Sequence, residues 1–251
     1  IESIDGVKIL AGADYNALLD GKAGKPVRIG VKGKKEDIVI KPISYGELDE
    51  LLYKRWVDRN RAFVDSISGG RVAYVHVKAM DSESFRKVYE ELLSENNRTR
   101  DAVVVDERHN GGGWLHDDLC TLLSGKEYQQ FVPRNKYIGS DPYNKWTKPS
   151  CVLICEDDYS NGHGFPWVYK ELGIGKLIGA PVAGTMTAVW WERLMDSSLV
   201  FGIPQVGCRD MRGVYGENTT LHPDIEVYNT PEDYINGYDR QLERAVREMM
   251  K

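Results

Sequence analysis

Three short segments of this 251-residue chain carry residues whose types and spacing suit nucleophilic chemistry. The first is Asp157-Asp158-Tyr159-Ser160-Asn161-Gly162-His163-Gly164, directly after the apolar Cys151-Val152-Leu153-Ile154-Cys155 and Glu156. A buried strand that breaks into a polar, glycine-containing turn before a helix lifts one serine above a sheet. Its hydroxyl then lies beside unpaired backbone N–H groups that favour developing negative charge. A nucleophilic serine needs that geometry. The competing reading is that Ser160 only caps the helix.

The second segment is Asp106-Glu107-Arg108-His109-Asn110-Gly111-Gly112-Gly113-Trp114. Three glycines after a buried strand let the backbone turn tightly and approach a ligand, and their N–H groups can face an oxyanion. A plain turn reads equally from the glycines alone, and the spacing is neither a dinucleotide fingerprint nor a phosphate loop. The third segment runs from Tyr215 to Val227, where Glu217 and Asn218 precede a His222-Pro223-Asp224 turn into a strand. Alone it reads as a surface loop. Glu156, Asp157, Asp158 and Asn161 lack calcium-loop spacing, so no metal is expected there.

Positioning these segments requires alternating strands and helices. The pattern predicts strands at 72–77, 102–106, 151–155, 176–179, 199–203 and 225–227. It predicts helices at 82–93, 115–123, 165–172 and 231–250, with a polar aromatic loop over 126–148. All-apolar strands among helices argue for an α/β fold. Ahead of them lies a β-rich, glycine-punctuated stretch, 1–43, with a turn at Ile4-Asp5-Gly6-Val7 and a short helix capped by Asp14. A helical linker follows over 44–70, with Leu48, Leu51, Leu52 and Trp56 on one side. The core then occupies 71–251.

Composition narrows the function classes. Hydrophobic residues make up 41% and charged residues 28%, as in an ordinary globular chain. A formal charge of −5 leaves no nucleic-acid or membrane-surface footprint. No apolar run reaches a membrane span. Four cysteines are too few for a disulfide scaffold and read as structural thiols. The chain begins at Ile1 rather than Met, so it is expected to be a fragment or processed product.

Taken in order, the motifs resemble the tricorn protease family of serine peptidases, relatives of the carboxy-terminal processing proteases. Asp106, Arg108, Asn110, Gly111, Gly112 and Gly113 match its Asp-x-Arg-x-Asn-Gly-Gly-Gly pattern, and Ser160-Asn161-Gly162 its nucleophile segment. Leu172-Gly173-Ile174-Gly175-Lys176-Leu177-Ile178-Gly179 matches the following run, and Glu217, Asn218, Pro223 and Asp224 the last motif. Arg71 to Val77 resembles the family's first core strand. The resemblance covers about 45–251, and 1–42 looks like the later part of a PDZ domain.

The resemblance implies a Clp-protease/crotonase-like β-β-α spiral core behind a partial PDZ-like module. It implies that Ser160 attacks a peptide carbonyl, that the N–H groups of Gly113 and Asn161 hold the oxyanion, and that Glu217 orients the base. Gly112 and Phe131 are expected to line the substrate site. The family's acidic specificity position falls near Gln130 and Phe131, which carry no carboxylate, so a basic preference is not carried over. Phe131, Trp190 and Trp191 are candidates for an apolar pocket.

In the family the base is a histidine from a domain preceding the PDZ domain. Of the histidines present, His163, three residues past Ser160, could serve only if bent back toward it; His76 reads as a core or edge residue, His109 and His222 as turn residues, and His116 as facing solvent or the cleft wall, while 179–190 lacks the lysine of the processing proteases. The chain by itself is therefore expected to be weakly active or inactive. Its partners are expected to be peptides or unfolded chains, without nucleic acid or cofactor, in a possible homo-oligomer. Two other classes stay open on this sequence. One is a non-catalytic peptide-binding protein on the same fold, and the other a crotonase-like acyl-thioester enzyme that would not need Ser160.

Overall fold

A computed structural model describes all 251 residues. Backbone contacts divide the chain into two compact units, Ile1–Asp58 and Arg59–Lys251. In the first, β1 (Ser3–Ile4), β2 (Val7–Lys8), β3 (Val27–Gly30) and β4 (Ile38–Ile40) form an antiparallel sheet in the order β2-β1-β3-β4. Asp5 and Gly6, both at positive φ, make the β1–β2 turn. Asp14 accepts the Asn16 N–H at 2.9 Å, opening a single 3₁₀ turn where a short helix is expected. In this sheet only Ile4, Val27 and Ile29 are enclosed, which fits the thin core expected of so short a stretch.

Helix α1 (Tyr45–Ser68) starts where Ser44 and Glu47 exchange hydrogen bonds, the reciprocal capping that fixes a helix N-terminus. It contributes residues to both units, so the stretch read as a linker is divided at Asp58. The leucines on its expected apolar side, Leu48, Leu51 and Leu52, remain exposed.

The second unit contains, in chain order, β5 (Val72–His76), α2 (Ser82–Leu92), α3 (Glu95–Arg98), β6 (Ala102–Asp106), α4 (His116–Leu123), β7 (Gln129–Phe131), β8 (Gly139–Asp141), β9 (Ser150–Ile154), α5 (Asn161–Glu171), β10 (Lys176–Gly179), β11 (Ala188–Arg193), β12 (Val200–Val206), β13 (Ile225–Glu226), α6 (Pro231–Asn236) and α7 (Arg240–Met249). Five of these strands form one parallel sheet in the order β13-β10-β9-β6-β5. Every residue of β5, β6 and β9 is buried, because helices cover both sheet faces.

The two faces follow the two-residue period of the strands. Val103, Val105, Val152 and Ile154 join the core beneath α2, α4 and α5. Helix α7 packs on β6, β9 and β10 through its buried Leu242, Ala245 and Val246. No helix is long and apolar enough to cross a membrane.

Two boundaries differ from the sequence reading. Helix α5 begins at Asn161, four residues before the expected Phe165, and takes in Gly162 and Gly164, which helix propensity alone disfavours. The expected closing helix is two helices, parted where Gly237 adopts a left-handed conformation (φ 65°) and Asp239 caps α7. Two antiparallel hairpins were also not foreseen: β7–β8 within the 126–148 loop, and β11–β12.

Candidate active site

Strand β9 ends at Ile154, and Asp158 shapes the turn beyond it. Its buried carboxyl accepts the N–H of Cys155 at 2.8 Å and of Asn110 at 3.2 Å. Burial pushes this carboxyl up to about 8, against the two amides that favour its anion. Ser160 follows with φ 56° and ψ −117°, a conformation that costs a non-glycine residue about 1–3 kcal/mol. Its N–H donates to the Thr185 hydroxyl at 3.0 Å, and its carbonyl accepts the N–H groups of His163 and Gly164.

Ser160 stands at the N-cap position of α5, yet its side chain makes no capping hydrogen bond. The capping reading therefore lacks the bond it requires. A capping serine gains its stabilisation from the side-chain bond to the helix amides, and here the strained backbone turns the hydroxyl away from them. The Ser160 hydroxyl is half-buried and unbonded, at a strand-to-helix corner.

The glycine loop meets this corner directly. Asn110 knits the two: its carbonyl accepts the Tyr159 N–H at 2.9 Å, its amide donates to the Val77 carbonyl, and its side-chain oxygen accepts the Gly112 N–H. Gly112 (φ 92°) lies so near that a methyl group on it would stand 2.6 Å from Ser160 Cβ and 2.9 Å from Asn161 N. Gly113 (φ 136°) is wedged against Met80, whose N–H and carbonyl bond to the Gly112 carbonyl and the Trp114 N–H. These bonds leave the Gly113 N–H without a partner. The Asn161 N–H is likewise free, being the first of α5.

The Asn161 side chain faces the other way. Its oxygen accepts the N–H groups of Leu115 (2.7 Å) and His116 (3.1 Å), capping α4 from a distant part of the chain. Its nitrogen therefore donates to His116 Nδ1 at 2.9 Å, which leaves the imidazole proton on Nε2. His116 has thus spent its one accepting nitrogen.

Glu217 reaches the same place from the far end of the chain. Residues Val182 and Leu221 pair across an antiparallel bridge, and the Asn218 N–H donates to the Gly184 carbonyl. Glu217 Oε2 accepts the Thr187 N–H at 2.8 Å. Hydrogen bonds from the Thr187 hydroxyl and amide hold this carboxyl below the ordinary glutamate range.

Ser160, Asn161, Gly112, Gly113 and Glu217 accordingly line one cleft of about 480 Å³. Phe131 does not. It sits on β7 of the β7–β8 hairpin, 41% exposed and outside the cleft lining. Trp191 lines the cleft and Trp190 does not, as the alternation of a strand requires. Sequence reasoning left His116 between solvent and the cleft wall, and it lines the cleft; Trp114, Thr185 and Thr187 were missed as cleft residues. The threonines gain meaning only through the Val182–Leu221 bridge.

The remaining histidines stand elsewhere. His163 is buried in α5, stacked on Trp167 with ring centroids 6.3 Å apart, and neither ring nitrogen has a partner. Burial lowers it to about 4, so it is neutral at physiological pH. His76 contacts the Arg108 carbonyl, His109 pairs with Asp157, and His222 is on the surface.

Beneath the glycine loop lies an ionic lock. Arg108, almost fully buried, makes a paired contact with Asp106 (2.9 and 2.7 Å) and a second with Asp239 (3.0 and 2.9 Å). Tyr74 donates to Asp106 at 2.8 Å. The motif's Asp106 and Arg108 therefore tie the loop to the start of α7. Glu107 points to the opposite face, fully buried without a hydrogen-bond partner, and burial raises its carboxyl far above the usual range.

Comparison with known proteins bears on the family and the fold. The family described as peptidase family S41 matches residues 71–227. The tricorn protease of Thermoplasma acidophilum is 29% identical over 98% of this chain and 23% of its own length. A putative tricorn-like protease C-terminal subunit from Sulfurisphaera tokodaii is 31% identical over the whole chain and 29% of its own length. The chain thus spans about a quarter of the curated relatives it matches. Among solved structures, the crystal structure of the tricorn protease superposes with a TM-score of 0.85 at 28% identity, over 99% of this chain and 24% of that one. A photosystem II D1 C-terminal processing protease shares the fold at 16% identity and a TM-score of 0.50. On these grounds, and on its α/β core, the chain belongs to peptidase family S41, within its tricorn group.

Proposed function

We propose that this chain supplies the catalytic core of a serine peptidase acting on peptides or unfolded protein segments. The observation that carries the reading is the unbonded Ser160 hydroxyl, held by a strained backbone beside two free amides, those of Gly113 and Asn161. Ser160 Oγ attacks the peptide carbonyl, and its proton passes to a base. The carbonyl oxygen, now an anion, is held by the two N–H groups, each worth roughly a hundredfold or more in rate. Collapse of the adduct expels the amine and leaves an acyl-enzyme that water hydrolyses. Glu217, kept ionised by Thr187, orients and stabilises the protonated base.

The base itself is proposed to be a histidine outside these 251 residues. His116 has no accepting nitrogen left, and His163 is enclosed and neutral. The test compares peptide hydrolysis by the full-length protein with and without Ser160→Ala, together with labelling by a serine-directed fluorophosphonate. Loss of both signals in the variant is expected. Equal rates, or a wild-type protein that never labels at Ser160, would instead assign the cleft to peptide binding without hydrolysis.

A further inference from the structure

A cluster of donor atoms lies on the outer side of the same two loops, away from the cleft lining. His109 Nδ1, Cys155 Sγ and the Asp157 carboxylate converge so closely that all three ligand atoms fall within 4.8 Å of one another. Nδ1 stands 2.9 Å from Asp157 Oδ2 and 3.8 Å from Sγ, and Sγ is 2.7 Å from Oδ1. Around a tetrahedral ion bound at about 2.0–2.3 Å, neighbouring ligands stand roughly 3.3–3.6 Å apart. The observed edges scatter about that spacing, and sub-ångström side-chain shifts would even them.

From this geometry we infer that His109, Cys155 and Asp157 form a binding site for one thiophilic divalent cation of the zinc class, pinning the glycine loop to the nucleophile loop. One thiolate, one imidazole and one carboxylate are a mixed set that suits a borderline-soft ion, whereas calcium and magnesium prefer oxygen alone. His109 and Asp157 are exposed and Cys155 is buried, so the ion would enter from solvent and keep a water as its fourth ligand.

The surroundings are built for such a role. His109 adopts a left-handed backbone (φ 69°), uncommon for a residue with a side chain, and this directs its ring toward Asp157. Its own N–H points at Cys155 Sγ at 3.2 Å, the kind of amide contact that stabilises a coordinated thiolate. Asp158 accepts the N–H groups of Cys155 and Asn110, fixing the backbone next to ligands on both loops. On coordination the thiol proton leaves to solvent, the imidazole proton moves by way of solvent from Nδ1 to Nε2, and the ion replaces the thiol–carboxylate and imidazole–carboxylate contacts. His109 lies four residues before Gly113 and Cys155 five before Ser160. The ion would therefore brace the two loops that carry the oxyanion amides and the hydroxyl.

The inference does not depend on the peptidase reading, and its test reads the metal directly. Cobalt(II) is titrated into the reduced full-length protein, and near-ultraviolet thiolate-to-cobalt charge transfer is recorded as a difference against Cys155→Ser. One equivalent is expected to give the band, with competing zinc abolishing it. Asp157→Asn and His109→Ala, both at exposed positions, should weaken binding about tenfold or more. Cys208→Ser should leave the band intact, and zinc should raise the melting midpoint of the wild type but not of Cys155→Ser. A flat difference spectrum, or unchanged affinity in His109→Ala and Asp157→Asn, would overturn the site. Full binding with no peptidase activity would leave it standing.

Discussion

Gly111 and Gly112 are neighbours in the same loop, yet the structure assigns them opposite sensitivities. A methyl group on Gly111 would meet nothing within 4 Å, and the residue has an ordinary backbone. On Gly112 it would stand 2.6 Å from Ser160 Cβ, 2.7 Å from the Tyr159 carbonyl oxygen and 2.9 Å from Asn161 N, at φ 92°. Two of those three atoms are backbone, so no side-chain rotation relieves the overlap. Ordinary contact begins near 3.4 Å, so the Ser160 corner must retreat by about 0.8 Å. A misplacement of about 1 Å at reacting groups costs about a hundredfold in rate. Gly112→Ala in the full-length protein should therefore lower kcat about a hundredfold with the fold retained, the strain adding about 1–2 kcal/mol of instability. Gly111→Ala should keep wild-type kcat. The assay is steady-state peptide hydrolysis beside a thermal melt of each variant. Should Gly112→Ala keep most of its kcat, or Gly111→Ala fall as far, the close approach of the two loops is not what positions the hydroxyl.

Two further outcomes follow from buried groups. His163 is neutral in the folded chain because burial lowers it from 6.5 to about 4, so the unfolded state binds more protons between those values. Its contribution is present above about 6.5 and is lost as pH falls toward 4. His163→Phe, which keeps a flat ring against Trp167, should remove on the order of 2 kcal/mol of that acid-side loss after allowance for solvent screening. Urea midpoints at neutral and mildly acid pH measure it, and parallel curves for the two proteins would contradict it. Arg108→Ala should cost about 3–5 kcal/mol, because Asp106 would stay buried without its cation. A melt unchanged from wild type would show that the lock contributes little.

The strands read at 72–77, 102–106 and 151–155 were legible because a sheet covered on both faces demands largely apolar runs, a local property. The glycine loop and Ser160 were legible as separate segments for a related reason: tight turns and exposed nucleophiles restrict residue type. What joins them was not. The start of α5 was misplaced because Gly162 and Gly164 are poor helix formers, tolerated here by close packing on Asn110 and Met186. Phe131 lies outside the cleft lining, on a hairpin whose residues show no alternating pattern in the sequence. The pairing of Glu217 with Thr187 spans thirty residues, and no sequence period reaches that far. So the chain's order of residues determined which groups could react and where each backbone had to bend. Tertiary structure alone decided which of them meet, because contact between distant segments is set by packing of the sheet and its helices, which no single segment encodes.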